Sequence, residues 1–466
     1  KGGEVGSSSH RVVLKTRCFC PVEMARALLP SAVLLGVLCI AESFHVPTLT
    51  TPFAAAKIGV HRASSRKGAS AIRCSSGRDD SGEQLLRGLP TVGRRGVLGG
   101  AVLGGLNIAV PVEAAHAELT EKSSVKYKLG PAETRNVVIT GCNSGIGRDA
   151  AAKLAAGGYN VILACRTQEK AEQTKQGIEE EVGKLNTGRP MPILTPMECD
   201  LSSLASVREF AAKLIDMKIP IDILVLNAGL SLSTGAKPPP PRTKEGFELT
   251  VGTNHLGHFL LCNLLLNELA KNQRGARIVV TASQVHDPES PGGNVGSKAT
   301  LGTMAGLERG GEWDMVDGGP FDGDKSYKDS KLCNVLFTRE LSTRLKNSNA
   351  FKGVTVNCFS PGLITKSGLF RNQGSVFGPV FDFAVNNIFK VGETVEFGGD
   401  CLLEMACSKR LAGVSGDFWA NSQPGKHTFE KFAVSAEAQD AVKAAKLWRL
   451  SVKATKLTSA ESPFVV

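Results

Sequence analysis

Between positions 135 and 360, six short runs of mostly Val, Ile and Leu recur, at 137–140, 161–165, 193–198, 223–226, 278–282 and 354–359. Stretches of helical period separate them. Strands that read as continuous apolar runs are buried on both faces, and strands that alternate with helices pair in parallel through crossover connections. The expected architecture is therefore α/β, a doubly wound parallel sheet with helices on both faces. Charged residues make up 21% of the chain and hydrophobic ones 42%, enough apolar material for a core of that size.

The first run leads into Thr140-Gly141-Cys142-Asn143-Ser144-Gly145-Ile146-Gly147 and then an Ala-rich helix. A glycine-rich turn that follows the first strand and opens the first helix gives a Rossmann-type phosphate site, because the helix N-terminus offers unpaired N–H groups and a positive dipole end. A glycine cluster alone is weak evidence, so its position carries the inference. The second run ends in Cys165-Arg166, where an NAD enzyme carries an acid for the ribose hydroxyls. An arginine there suits the 2′-phosphate of NADPH. Asp200-Leu201 and Asn227-Ala228-Gly229 follow the third and fourth runs, where adenine and its ribose lie.

Tyr327 and Lys331 are four apart in a helical stretch and share one face. An ammonium beside a phenol favours the phenolate, which predicts a lowered phenol pKa and a usable acid or base near neutrality. Ser283, ending the fifth run, and Asn254, in the preceding helix, add a hydroxyl and an amide to orient substrate and a proton-relay water. His255 and His258 lack a third ligand and read as packing residues. Cys333 reads as a buried helical thiol and the prolines at 238–241 as a stiff loop. The twelve cysteines show no regular spacing and sit in apolar settings, the pattern of reduced thiols rather than of a disulfide framework or a zinc site.

Taken together and in this order, the 140–147 turn, Asn227-Ala228-Gly229, Asn254, Ser283, Tyr327, Lys331, Pro361-Gly362 and Thr365 resemble the short-chain dehydrogenase/reductase superfamily over residues 135–418. Thr365 takes the position that this resemblance assigns to the nicotinamide carboxamide. Ser283 and Tyr327 lie 44 residues apart, and a connection of that length inside a compact domain is usually functional. With the stretches 247–259, 321–334 and 368–371 and a tail over 415–456, the chain is similar to the light-dependent protochlorophyllide oxidoreductases. The resemblance implies NADPH as cofactor and light-driven reduction of the C17–C18 double bond of protochlorophyllide, with Tyr327 and Lys331 arranging the proton.

Two positions depart from that family's pattern. Leu363 stands where the family has cysteine after Pro-Gly, and Ser231 stands where it has tyrosine two residues after Asn-Ala-Ala. Leucine has no proton or sulfur hydrogen bond to offer. A dark-active reductase of another apolar carbonyl, and a non-catalytic pigment- or NADPH-binding protein, are the alternatives.

The remaining sequence reads as addresses. Net charge is +11, and six of those charges fall in residues 1–120, which argues for targeting rather than for a nucleic-acid partner. Met24 is the expected start of translation. Arg26, the apolar run 27–40 and Ala41-Glu42-Ser43 have signal-peptide order, and the stretch after Phe44 is rich in Ala, Ser and Arg and free of acid until Asp79. This resembles the bipartite presequence of a complex plastid. Arg94-Arg95, an apolar run over 97–112 and Ala115-His116-Ala117 read as a thylakoid-transfer signal, with a Gly-rich linker as the alternative. A disordered presequence over 1–120 and a reductase domain over 130–460 are expected, and peripheral thylakoid association and homo-oligomerisation are compatible with them.

Overall fold

The computed structural model describes residues 135–465 apart from 186–189, 234–235, 370–384 and 386–391. The targeting segments assigned to residues 1–120 lie outside the described residues. The chain alternates β1 (Asn136–Thr140), α1 (Gly145–Ala156), β2 (Asn160–Cys165), α2 (Gln168–Lys184), β3 (Leu194–Glu198), α3 (Leu204–Asp216) and β4 (Ile223–Leu226). A single turn, Leu249–Val251, then runs through a π-helical stretch, Gly252–Gly257, into α4 (His258–Ala270), β5 (Ala276–Thr281), α5 (Gly323–Lys346) and β6 (Val354–Ser360). All six expected strands are present. Two more follow: α6 (Val395–Cys407) precedes β7 (Phe418–Ala420) and β8 (Glu430–Phe432), and α7 (Ala441–Thr455) comes last.

The sheet runs β3-β2-β1-β4-β5-β6-β7-β8, parallel throughout except for the antiparallel β7–β8 pair at one edge. Alternate residues of each strand enter opposite layers, as strand geometry requires. Val137, Ile139, Val161, Leu163 and Val225 pack with residues of α1, α2 and α6, whereas Val138, Ile162, Leu224, Ile278 and Val280 pack with residues of α3, α4, α5 and α7. The chain order reverses between β1 and β4, and in such sheets the carboxyl ends at the reversal frame the ligand crevice.

Those carboxyl ends are laced together through Thr140. Its Oγ1 accepts from the N–H groups of Asn227 (2.9 Å) and Ala228 (3.0 Å) and lies 2.9 Å from His258 Nε2. Burial pushes the His258 pKa down to about 4, so the ring is neutral near pH 7. Its Nδ1 faces the carbonyl of Asn254 at 3.1 Å and must carry the proton, which leaves Nε2 as an acceptor. The Thr140 hydroxyl therefore donates to His258 in preference to the Val225 carbonyl at 3.3 Å, and is held in the orientation that receives both backbone donors. Asn227 Nδ2 returns a bond to the Thr140 carbonyl (3.1 Å), and its Oδ1 accepts from Thr281 Oγ1 (3.2 Å) on β5. His255, on the same side of the sheet, lies 2.9 Å from Ser451 Oγ and against Phe259 and Phe337. Both histidines thus serve packing, as expected.

The long connection from Ser283 to α5 is tied to the helix that carries Tyr327. Lys328 Nζ donates to the carbonyls of Val295 and Ser297, the N–H of Thr300 donates to Asp329 Oδ1 (2.9 Å), and Lys325 pairs with Asp317 (3.0 Å) and Asp329. Helix α7 covers the far side of α5: Trp448 packs edge-on against Phe259 at 4.9 Å and stacks on Phe337 at 5.9 Å. Replacing Thr140 by valine strips the buried Asn227 N–H and the partly buried Ala228 N–H of their acceptor and should cost about 2–4 kcal/mol, whereas serine, which keeps the hydroxyl, should cost much less. Chemical denaturation of the two variants checks this; equal losses would contradict the hydroxyl's role.

Candidate active site

The crevice at the β1/β4 reversal is a cleft of about 1400 Å³ counted with its open mouth. Its lining includes Thr140, Gly141, Asn143, Ser144, Gly145, Ile146 and Gly147 of the turn, Arg166, Asp200, Leu201, Asn227, Ala228 and Gly229 at neighbouring strand ends, and Ser283, Tyr327, Lys331, Pro361 and Gly362. Residues spread over more than two hundred positions of sequence are thus collected at one sheet edge.

The phosphate turn fits an anionic dinucleotide. Ser144, the residue before α1, is extended and makes no side-chain cap, and the first turn of α1 contains no acid. The first N–H groups of the helix lack an intrahelical acceptor by construction and lie in the lining of the cleft. Two glycines are required by close packing. A Cβ on Gly141 would stand 2.7 Å from the Ala228 Cα, and one on Gly147 would stand 2.4 Å from the Gly141 carbonyl oxygen. Arg166 is exposed, immediately before the Thr167 cap of α2. Asp200 is held by the N–H (3.0 Å) and hydroxyl (2.7 Å) of Ser202.

At the other end, Lys331 is buried and its Nζ donates to the Thr281 carbonyl at 3.1 Å, 5.5 Å from the centre of the Tyr327 ring. Burial pushes the Lys331 ammonium down to about 8. The same burial drives the Tyr327 phenol well above its ordinary value, opposed only by a hydrogen bond with Ser283. This corrects the expected lowering. Desolvation of the phenolate outweighs that hydrogen bond, and Tyr327 stands as a protonated acid across the neutral range.

Two expected site residues lie outside the cleft lining. Asn254 is fully buried on the π-helical stretch: its Nδ2 donates to the Leu230 carbonyl (2.9 Å) and Ser330 Oγ (3.0 Å), and its Oδ1 accepts from the Leu230 N–H (2.9 Å). It clasps the loop after β4 to α5. Thr365 is half-buried between Ile364 and Ser367, which do line the cleft. Of the two departures from the family pattern, Leu363 lines the cleft and Ser231 does not. The sequence reading missed Thr281, whose hydroxyl and carbonyl join Asn227 to Lys331, and its only signal was the strand-end position two residues before Ser283.

A model of the short chain dehydrogenase family matches residues 135–304. The chain is 35% identical over 378 residues to the chloroplastic protochlorophyllide reductase of Marchantia paleacea, an alignment covering 77% of this chain and 78% of that relative. It is 38% identical over 323 residues to the protein of that name from Cucumis sativus, covering 68% and 77%, and 36% identical over 333 residues to that of Chlamydomonas reinhardtii, covering 70% and 79%. The uncapped helix start and packed glycine turn fit the nicotinamide dinucleotide with which such oxidoreductases work. The chain belongs to the protochlorophyllide reductase family of short-chain dehydrogenases.

Proposed function

We propose that this protein is a light-driven reductase of a plastid that uses NADPH to reduce the C17–C18 double bond of protochlorophyllide. The observation that carries the reading is the convergence of Ser283, Tyr327 and Lys331 at one end of a cleft whose other end holds the phosphate turn and Arg166. The family membership and the chloroplastic names of the relatives support the substrate and the compartment.

When bound, NADPH supplies the reducing equivalent to C17, and the pigment supplies the absorbed photon. The chain's own residues orient the two and manage the proton. Arg166 offers a planar cationic donor for the 2′-phosphate, and the first turn of α1 offers N–H groups for the pyrophosphate. Tyr327 is the acid for C18: its raised pKa keeps the proton on the phenol until charge develops at the pigment. The phenolate then left behind is met by the Ser283 hydroxyl and the Lys331 ammonium. Leu363 forms a wall of the cleft and gives no proton, so delivery falls to Tyr327 or to water that it orients. Asn254 acts through the loop it clasps, as a positioning residue.

Arg166→Ala should raise the NADPH dissociation constant by about ten- to a hundredfold, the worth of one charge-assisted contact, and leave that for NADH nearly unchanged. Equal preference in wild type and variant would contradict the role.

Tyr327→Phe should bind NADPH nearly normally and lose about a hundredfold or more in photoreduction. Wild-type turnover should fall as pH rises through about 8, because Lys331 loses its charge there and the phenolate loses its counter-ion. Lys331→Arg, which stays protonated, should move that limb to higher pH. A limb near 8 that survives in Lys331→Arg would overturn the assignment.

A further inference from the structure

The eight cysteines among the described residues are free thiols, and two of them touch: the sulfurs of Cys142 and Cys165 stand 3.6 Å apart. Cys142 sits in the phosphate turn between Gly141 and Asn143. Cys165 is the last residue of β2, next to Arg166, and lines the cleft. Both are buried, and the Thr174 hydroxyl of α2 lies 3.9 Å from the Cys165 sulfur. We propose that Cys142 and Cys165 are a peroxide-responsive thiol pair whose oxidation to an intramolecular disulfide opposes dinucleotide binding. The second half of this statement rests on the reading of the cleft as the NADPH site.

The two thiols are unequal. The Cys142 thiol, together with Thr174 and the charge of Lys170, holds Cys165 below its ordinary value, while the same contact and burial push Cys142 well above. Cys165 is thus the nucleophile and Cys142 the resolving thiol. Burial of both sulfurs favours an oxidant the size of hydrogen peroxide over a bulky disulfide. The Cys165 thiolate attacks one peroxide oxygen, the O–O bond breaks, and the departing hydroxide takes a proton to become water, leaving a sulfenic acid. The Cys142 sulfur then attacks the sulfenic sulfur. An S–S bond forms, the S–O bond breaks, and the second hydroxide leaves as water with the Cys142 proton. Two thiols lose two electrons, and one peroxide becomes two waters.

Bond formation at about 2.05 Å requires the sulfurs to close by roughly 1.5 Å. Cys165 is pinned in the β2–β3 ladder opposite Glu198, so the movement falls on the turn that carries Cys142. That turn presents the N–H groups offered to the pyrophosphate.

The test treats the reduced full chain with hydrogen peroxide, digests it without reductant and maps sulfur links by mass spectrometry. The expected product is a Cys142–Cys165 cross-link two hydrogens lighter, reversed by dithiothreitol. The oxidised protein should bind NADPH at least about tenfold more weakly, and bound NADPH should disfavour the cross-link by a matching factor, since such coupling is reciprocal. In Cys142→Ser, Cys165 should stop at a sulfenic acid trapped by dimedone. If that variant does not fold, the wild-type map decides alone. Oxidation of Cys165 to sulfinic acid without a link, or earlier links between other cysteines, would overturn the pair. A link that leaves NADPH affinity unchanged would overturn its coupling to the cleft. Failure of the reduced protein to bind NADPH at all would count against the proposed function and leave the cross-link result standing.

Discussion

The Thr140 hydroxyl is the point on which the site turns. One oxygen accepts from two backbone N–H groups of the β4 loop and donates to a neutral histidine, so β1, β4 and α4 meet at a single atom. The bonds radiate from there. Asn227 carries the network to Thr281, Thr281 carries it to Lys331, and the carbonyl of Asn254 that fixes His258 belongs to the residue that clasps α5. In a buried, low-dielectric setting each member is worth more when all are satisfied, and the loss of one strands several. The phosphate turn and the acid–base helix are therefore one mechanical unit, although Thr140 and Lys331 lie 191 positions apart in sequence.

The connection before Tyr327 and the C-terminal helix complete that unit from outside. Lys325, Lys328 and Asp329 flank Tyr327 and spend their charges on the long connection, while α7 packs Trp448 under the same helix. The segment between Ser283 and Tyr327 is largely irregular, yet it hangs on buried carboxylate and ammonium contacts. Its length is therefore anchored on α5 without loosening the helix.

Much of this was legible in the sequence. Apolar runs revealed six strands because both faces of the sheet are covered. Strands β7 and β8 escaped because each has three residues and β8 is exposed along its length, leaving no pattern to read. The helical spacing of Tyr327 and Lys331 placed both on one face, but the direction of the phenol's pKa depends on how much water the surrounding walls remove, which spacing cannot encode. Asn254 was legible as a motif residue, whereas its place outside the cleft lining follows from a π-helical turn that has no simple periodicity. The contact of Cys142 with Cys165 joins the turn after β1 to the end of β2, and 22 residues of intervening sequence conceal it.

The central claim is that this cleft performs light-driven reduction of a bound pigment with a proton route that does not need a cysteine at position 363. The direct measurement mixes the purified protein with NADPH and protochlorophyllide, records the absorption spectrum in darkness, and repeats it after a flash, for wild type and for Leu363→Cys. The account predicts no conversion in darkness and conversion to chlorophyllide after the flash in both proteins. Conversion in the variant alone, or a wild type that ignores the pigment and reduces another apolar carbonyl in darkness, would contradict it.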